Sequence, residues 1–279
     1  MGNWMFAYAA ALSKGADVVF CNTGIPLEDE SLIKKYGEMF PSVRLVHELP
    51  PGVVTYREPH FHFSPIPDVT SAGLHIWGVF QSEKYFDCEK VRQAFAISPG
   101  RERRLREKYG EILKRPNITA IHVRRGDYLK FPHVHPFVGK GYFKSALSRL
   151  PECKDFVVCS DDLVWCRRFF PRHFPGRRFF FADDSFLDSL YLMSLCQNNV
   201  ISNSSFSWWG AWLNRHAGKR VLAPSRWFGV LGPQDWQDIY FQGVEIVPVR
   251  PWIAQSLNAR CHVIRELLGQ RVRKLMKLT

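Results

Sequence analysis

Several features are missing from this 279-residue sequence, and each absence excludes a class of protein. No apolar run reaches the ~20 residues that a membrane-spanning helix needs. The seven cysteines form an odd set without a C-x-x-C pair, so we expect small core side chains in a reducing compartment rather than zinc ligands. No nucleic-acid-binding motif accompanies the net charge of +12, and we therefore predict no nucleic-acid partner. The apolar content of 46% indicates a folded globule.

The most informative stretch that is present joins an apolar segment to two arginines. Residues 118–123 read ITAIHV, and Arg124 and Arg125 follow them at a Gly-Asp turn. This pattern predicts a buried strand that ends at a site, because ligands of open α/β sheets bind outside the carboxyl ends of strands. Arginine suits a phosphate there, since its planar group donates two hydrogen bonds and stays charged. The alternative interpretation is a surface arginine pair at a solvated turn.

A second informative block covers residues 182–214, ADDSFLDSLYLMSLCQNNVISNSSFSWWGAWLN. Apolar spacing predicts a helix over 186–195, and Asn199-Val200-Ile201 is typical of a short buried strand. The turn 202–205 is rich in serine and leads into an aromatic helix. A strand, a serine-rich turn and a helix together direct backbone N–H groups and hydroxyls towards an anion. An ordinary capped helix with an aromatic core face is the alternative.

With both blocks in this order, the chain resembles glycosyltransferase family 11, the α-1,2-fucosyltransferases that use GDP-fucose. The family's H-x-R-R-G-D-Y motif matches residues 122–128, and its F-S-W-W-G-A-W/Y-L motif matches 206–213. Residues 78–86, GVFQSEKYF, are similar to a third family segment. The chain opens with MGNWMFAYA, which resembles the family's G-L-G-N-Q-M-F-Q-Y-A loop in part, with Trp4 and Ala7 in place of glutamines. Met1 falls inside that loop, so we expect the family's first strand to be missing here.

The predicted fold class is α/β, because strand and helix signals alternate between residues 115 and 250. The strand candidates are Ile118–Val123, Phe156–Ser160, Arg178–Ala182, Asn199–Ser202 and Arg220–Ala223. The resemblance implies a GT-B-like architecture, in which two Rossmann-like halves face each other across a cleft. We expect an N-terminal half on the acceptor side (1–110), a GDP-fucose-binding half (111–255) and a basic amphipathic C-terminal helix (256–279).

The activity that the resemblance implies is inverting transfer of L-fucose from GDP-β-L-fucose to the 2-hydroxyl of a terminal galactoside in a glycan. The departing pyrophosphate gains negative charge, which a metal ion or fixed cations must neutralise. The sequence has no D-x-D motif, and the adjacent pairs Asp161-Asp162 and Asp183-Asp184 would diverge on a strand. We therefore expect no metal and no other cofactor, with the positive charge coming from Arg124 and the turn around Ser204 and Ser205.

By resemblance, Arg124 contacts the β-phosphate, His122 and Asp188 read guanine, and Asn3 approaches the pyrophosphate from the other half. Inversion needs a base for the acceptor proton, and Asp127 is the motif carboxylate, although it could instead hold an arginine in place. The catalytic candidates are Arg124 and Asp127. The expected donor-binding residues are Asn3, His122, Arg124, Asp188, Asn203, Ser204, Ser205 and Phe206.

Other interpretations stay open at this point. The chain could be a catalytically impaired relative that binds a nucleotide sugar or a glycan, or a transferase of the same fold with another donor or a protein acceptor. The C-terminal helix could pack across the halves or make a peripheral membrane contact. We expect a cytoplasmic or membrane-peripheral location, and a Golgi lumen location only if an N-terminal anchor has been lost. The pairs His60-Phe61-His62 and His133-Val134-His135 have metal-ligand spacing, but no carboxylate accompanies them in sequence.

Overall fold

The computed structural model describes residues 1–15, 17–21, 39–40, 44–46, 48–249 and 261. Its main feature is a six-stranded sheet in which every strand pairing is parallel. The strands are β5 (Thr119–Val123), β6 (Asp155–Ser160), β7 (Arg178–Phe181), β8 (Asn198–Val200), β9 (Val221–Pro224) and β10 (Val244–Val247). An all-parallel sheet with intervening helices confirms the predicted α/β class.

The strand order places a topological switch between β5 and β8, which are neighbours in the sheet but not in the chain. The sheet runs β10-β9-β8-β5-β6-β7, so the chain builds outwards from β5 to β7 and then crosses to β8 on the other side of β5. This is the strand order of a Rossmann-like unit, and its crevice opens between the carboxyl ends of the two strands at the switch. The two motifs singled out in the sequence follow β5 and β8.

Alternate residues of β5 face two different cores, as the pleat of a strand requires. Ile121 and Val123 pack with α4 (Lys140–Ser148) and α5 (Leu163–His173). Ala120 belongs to the opposite core, which also contains buried residues of α6 (Phe186–Leu195) and α7 (Ser205–Trp212). All five residues of β5 are buried, so its apolar composition follows from its central position between two helical layers.

Helix starts in this unit coincide with capping residues. The Asp162 carboxylate accepts from the Trp165 backbone N–H at 3.0 Å, and the Ser185 hydroxyl accepts from the Asp188 backbone N–H at 3.1 Å. Each cap supplies an acceptor for an N–H group that has no partner within its own helix. These local interactions place α5 and α6 directly after β6 and β7.

The N-terminal part contains two short parallel strand pairs and three helices in the described residues. Strand β1 (Val19–Cys21) pairs with β2 (Arg44–Val46), and β3 (Val54–Arg57) pairs with β4 (Leu74–Trp77). The helices are α1 (Gly2–Lys14), α2 (Cys88–Ala94) and α3 (Pro99–Leu113). Helix α1 packs against α7 through Phe6, whose ring centroid lies 4.5 Å from that of Trp208. The two parallel-stranded parts therefore share one core.

The helix expected over 256–279 lies outside the described residues, apart from Cys261. The division at residue 110 remains a prediction, and α3 runs through that position. Within the part of the chain that the structure describes, none of the helices combines the length and apolar character that a bilayer crossing requires.

Candidate active site

A cavity of about 770 Å³ lies at the carboxyl ends of β5, β6 and β8, between the two parts of the molecule. Its size falls within the range of small-molecule sites, roughly 300 to 1,000 Å³. The sequence-predicted residues that line it are Asn3, His122, Arg124, Asp127, Asn203, Ser204, Ser205 and Phe206. Residues from the beginning, middle and later part of the chain thus meet at one place, the switch point of the sheet.

Two helix N-termini converge on this cavity. Ser204 is the N-cap of α7, and neither α7 nor α1 has a side-chain cap hydrogen bond at its start. The two starts are in direct contact, because a Cβ placed on Gly2 would lie only 2.5 Å from Ser205 Oγ and 2.8 Å from the Phe206 nitrogen. Only glycine fits at position 2, because a side chain there would collide with the start of α7. Since a helix N-terminus presents N–H groups and a positive partial charge, the arrangement favours an anion.

Arg124 provides the guanidinium in the cavity, and two carboxylates surround it. Asp127 forms a two-point contact, with Nε to Oδ1 at 2.9 Å and Nη2 to Oδ2 at 3.0 Å. Asp161 lies 3.4 Å from Nη1. Partial burial acts to lower the pKa of Arg124, but the neighbouring carboxylates have the larger combined effect and raise this pKa. In this geometry Asp127 holds the guanidinium, which is one of the two roles that the sequence left open for it.

Two hydrogen bonds join the motif after β5 to the motif after β8. His122 Nδ1 lies 2.8 Å from Ser202 Oγ, and the Tyr128 hydroxyl donates to the Asn203 carbonyl at 2.7 Å. Burial, with a smaller effect of the Arg124 charge, lowers the pKa of His122 to about 3. The imidazole is therefore neutral near pH 7, so it can donate at one nitrogen and accept at the other.

The second arginine of the motif does not line the cavity. Arg125 pairs with Asp162, and its guanidinium lies 5.0 Å from the ring centroid of Trp165. Asp161 and Asp162 diverge as expected, because Asp161 lines the cavity while Asp162 caps α5. Of the two adjacent arginines, the structure therefore brings only Arg124 to the site.

Asp188 is the sequence-predicted donor residue that the structure does not bring to the cavity. Its Oδ1 accepts from Arg101 Nε at 2.8 Å, and Arg104 Nη2 lies 3.9 Å from the same oxygen. Its neighbours Phe186 and Ser189 line the cavity instead. The Asp188 side chain therefore joins α3 to α6. Its predicted role in reading guanine stays a prediction.

The structure adds cavity residues that the sequence did not single out, and Gln81 carries the clearest signal. Gln81 is 5% exposed, its Nε2 donates to Asn3 Oδ1 at 2.6 Å, and its Oε1 has no hydrogen-bond partner among the residues that the structure describes. Asn203 Oδ1 is in the same situation, while its Nδ2 donates to the Trp227 and Pro136 carbonyls. Buried acceptors without partners are costly, and both residues line the cavity, so these two side chains mark a strained part of its wall.

Backbone strain next to Gln81 supports a functional interpretation. Phe80 is fully buried and has a φ of 48°, a left-handed conformation that costs a non-glycine residue on the order of 1 kcal/mol. The Glu58 carboxylate holds this turn by accepting from the Val79 N–H at 2.7 Å and the Phe80 N–H at 3.1 Å. Burial raises the pKa of Glu58, against the opposing effect of these hydrogen bonds. The available sequence signal was the family-like segment 78–86.

The tryptophans of the second motif belong to the core. Trp208, Trp209 and Trp212 are each at most 1% exposed, and none of them lines the cavity. Trp209 Nε1 donates to the Gly2 carbonyl at 3.1 Å, which ties α7 to the start of α1. The tryptophans therefore pack in the core and position the cavity wall from behind.

The sequence profile described as glycosyl transferase family 11 matches residues 55–228. The match covers more than half of the chain and includes the strand ends that build the cavity. The chain belongs to glycosyl transferase family 11. The family assignment thus agrees with the resemblance seen in the two motifs, and it covers Gln81 as well as the residues of both motifs.

Three curated relatives of this family 11 chain have names that describe their activity. An Escherichia coli protein named O-antigen biosynthesis glycosyltransferase WbnK is 35% identical over 127 residues, which are 42% of this chain and 41% of that protein. An Escherichia coli α-1,2-colitosyltransferase is 26% identical over 82% of this chain and 89% of its own length. The mouse galactoside 2-α-L-fucosyltransferase Sec1 is 34% identical over 34% of this chain and 28% of its own length.

Solved structures of fucosyltransferases show a weaker likeness. POFUT1 in complex with GDP-fucose has 13% identity and a TM-score of 0.40, with 73% of each chain covered. NodZ α-1,6-fucosyltransferase soaked with GDP-fucose has 16% identity and a TM-score of 0.37, with 53% of this chain and 54% of the other covered. At these values the likeness does not bear on the roles of individual residues.

Proposed function

We propose that this chain transfers L-fucose from GDP-β-L-fucose to the 2-hydroxyl of a galactose-terminated glycan, with inversion at the anomeric carbon. The proposal goes beyond the family, whose members differ in donor and acceptor. The observation that carries it is the anion site at the switch point, where Arg124 and the N-termini of α1 and α7 converge. A nucleoside diphosphate is the leaving group that needs this arrangement.

The reaction breaks the bond between the anomeric carbon and a β-phosphate oxygen, and GDP departs with the electron pair. Arg124 stabilises the charge that grows on that oxygen, together with the backbone N–H groups that begin α7 at Ser205. Asp127 keeps the guanidinium oriented through its two-point contact. The acceptor 2-hydroxyl attacks from the opposite face, and its proton passes to a base as the new C–O bond forms.

Donor recognition is expected from neutral hydrogen-bonding groups in the same cavity. His122 is held in the neutral state by burial, and the amide side chains of Asn203 and Gln81 line the same cavity. Neutral groups of this kind select a ligand by hydrogen bonding rather than by charge. A ligand that lacks the matching base edge or sugar hydroxyl leaves them without a partner. We assign Asn3 to the pyrophosphate, because it lines the cavity at the start of α1 and follows Gly2, which packs against Ser205.

A second donor is favoured by one of the comparisons. One relative, whose match spans 82% of this chain, is named an α-1,2-colitosyltransferase. Colitose differs from L-fucose in lacking the 3-hydroxyl, so the two donors share the anion site and differ in one potential hydrogen bond. A cavity built to pair that hydroxyl would reject the analogue that lacks it.

The test is a donor panel with purified full-length chain and a galactose-terminated acceptor. GDP-fucose and GDP-colitose are supplied separately, and the products are identified by mass and by NMR assignment of the linkage. A fucosylated product linked to the 2-hydroxyl supports the proposal, and colitosyl transfer without fucosyl transfer supports the second donor. A folded chain that binds GDP but neither transfers nor hydrolyses either donor would be a binding protein, which contradicts both.

A further inference from the structure

The structure brings a carboxylate to one of the two histidine pairs. His60 and His62 stack with ring centroids 3.5 Å apart and planes 14° from parallel. Asp235, which lies far away in the sequence, places its Oδ2 2.8 Å from His62 Nδ1. One ligand atom from each of the three residues lies within 4.8 Å of the other two. The tertiary structure therefore supplies the carboxylate that was missing from the sequence around this pair.

The backbone explains why both imidazoles point the same way. Phe61, between them, is 8% exposed and packs edge-on against Phe228 with ring centroids 4.9 Å apart. Its burial leaves His60 and His62 together on the outer face. The arrangement depends on an apolar anchor, so it does not require a bound ion to form.

Asp235 is fixed independently of its contact with the histidine ring. Its Oδ2 accepts from the backbone N–H groups of Phe61 and His62, each at 3.1 Å. The backbone therefore holds the carboxylate in place, as outer-shell contacts do for a metal ligand.

We propose that His60, His62 and Asp235 form a binding site for a divalent transition-metal ion of the zinc class. Two imidazoles and one carboxylate suit Zn²⁺, Co²⁺ or Ni²⁺, whereas Mg²⁺ and Ca²⁺ prefer sets made of oxygen ligands alone. Water would complete the coordination, since both histidines are exposed. None of the three residues lines the cavity, so this ion has a structural role and takes no part in the transfer reaction.

The bound ion would join two segments that border the cavity. Phe61 lies between the two histidine ligands and Pro233 lies two residues before Asp235, and both line the cavity. A cross-link between residues 60–62 and 235 would thus restrain one cavity wall. Binding of the ion to the folded chain should raise its resistance to heating.

The experiment titrates ZnCl₂ into metal-stripped full-length chain by calorimetry and follows melting at each concentration, with MgCl₂ as the comparison salt. We expect one zinc equivalent that raises Tm, and no such effect of magnesium. His60→Ala is the decisive variant, because it removes a ligand but leaves the contacts of Asp235 with residues 61 and 62. Its zinc affinity should fall at least about tenfold, the size of effect that even supporting residues around a metal produce.

The other histidine pair supplies the matched control. Among the described residues, His60, His62 and Asp235 are the one such cluster, so His133→Ala should bind zinc as the wild type does. Asp235→Asn tests the carboxylate with little change in size, and its zinc affinity should also fall. Equal zinc affinity in the wild type and in His60→Ala, or no zinc-dependent rise in Tm of the wild type, would overturn the proposal. These readouts do not depend on the transferase activity.

Discussion

Gln81 donates a 2.6 Å hydrogen bond from Nε2 to Oδ1 of Asn3, across the cavity wall that joins the start of α1 to the turn after β4. This contact occupies the acceptor of the Asn3 amide, which leaves its N–H₂ group as the donor for a ligand. It also leaves Gln81 Oε1 buried without a partner among the described residues. The pair thus couples the orientation of the Asn3 amide, which lines the cavity, to that of Gln81.

We predict that Asn3→Ala and Gln81→Ala weaken GDP binding in a coupled way. Each change should cost about 1 kcal/mol, and the double variant should cost less than the sum, because Gln81 acts in part by orienting Asn3. A double-mutant cycle of GDP affinity by calorimetry measures the coupling. Gln93→Ala, on an exposed face of α2, is the control. Additive losses would mean that the two amides act separately.

Arg124→Lys should abolish most transfer although lysine keeps the charge. The guanidinium makes a two-point contact with Asp127, and an ammonium group cannot reproduce it or a two-point phosphate contact. Loss of one charge-assisted hydrogen bond costs about 1.5 to 3 kcal/mol, which corresponds to a fall in kcat/KM of roughly 10- to 100-fold. Arg125→Lys is the matched control, since Arg125 packs on Trp165 outside the cavity and should affect stability more than transfer. If Arg124→Lys turned over substrate as fast as the wild type, Arg124 would not be the arginine that binds the phosphate.

Transfer should persist in excess EDTA. Arg124 and the N-termini of α1 and α7 supply positive charge where a metal-dependent enzyme would place a cation. The assay compares initial rates with and without EDTA well below the melting temperature, so that removal of a structural ion does not unfold the chain. The variant His60→Ala should behave in the same way. Activity lost in EDTA and restored by manganese would reveal a catalytic metal.

GDP should stabilise the chain against heating, and changes at Ser205 should weaken that effect. A ligand at 100 times its Kd stabilises by about 2.7 kcal/mol, which is readily seen as a shift in Tm. Ser205→Ala removes a hydroxyl and should cost about 1 kcal/mol of binding. Ser205→Pro should cost more, because it also deletes a backbone donor at the first position of α7, where a helix tolerates proline.

Ser148→Ala is the control for the GDP experiment, since Ser148 ends α4 and its hydroxyl donates to the Ser145 carbonyl away from the cavity. If GDP produces no shift in a folded chain, the donor assignment fails. If GDP produces the shift but both Ser205 variants match the wild type, the donor assignment stands and the phosphate lies elsewhere.

The free energy of unfolding should fall as the pH drops from about 6.5 towards 3, partly because of His122. Burial lowers the pKa of His122 to about 3, whereas an unfolded histidine titrates near 6.5. The unfolded chain therefore binds the proton first, and the stability that His122 contributes above pH 6.5 is lost through this window. His122→Gln should flatten the slope by at most about 1.4 kcal/mol per pH unit. Denaturant titrations of both proteins across this range provide the measurement, and parallel curves would show that His122 is not buried in solution.

Five of the six strands of the large sheet were predicted from local patterns, because burial of one or both faces leaves a periodic trace in the sequence, whereas β10 was not predicted. The strand predicted over 118–123 is observed as Thr119–Val123, and the helix predicted over 186–195 is observed with those bounds. The motif serines and Arg124 were also predictable, since a strand end followed by a turn is a local feature. The family could be recognised from these same segments.

Only the tertiary structure decided which strand ends meet and which side chains are left facing the cavity. Strand β8 lies beside β5 because the chain crosses the sheet after β7, and no periodicity within either strand encodes that crossing. Asp188 lies in the second motif block but pairs with Arg101, while Gln81 and Asp161 reach the cavity from segments outside the two motif blocks. Asp235 reaches the histidines of residues 60–62 in the same way. The physical reason is that local sequence determines which face of an element is buried, whereas contacts between distant polar groups depend on how the completed layers pack.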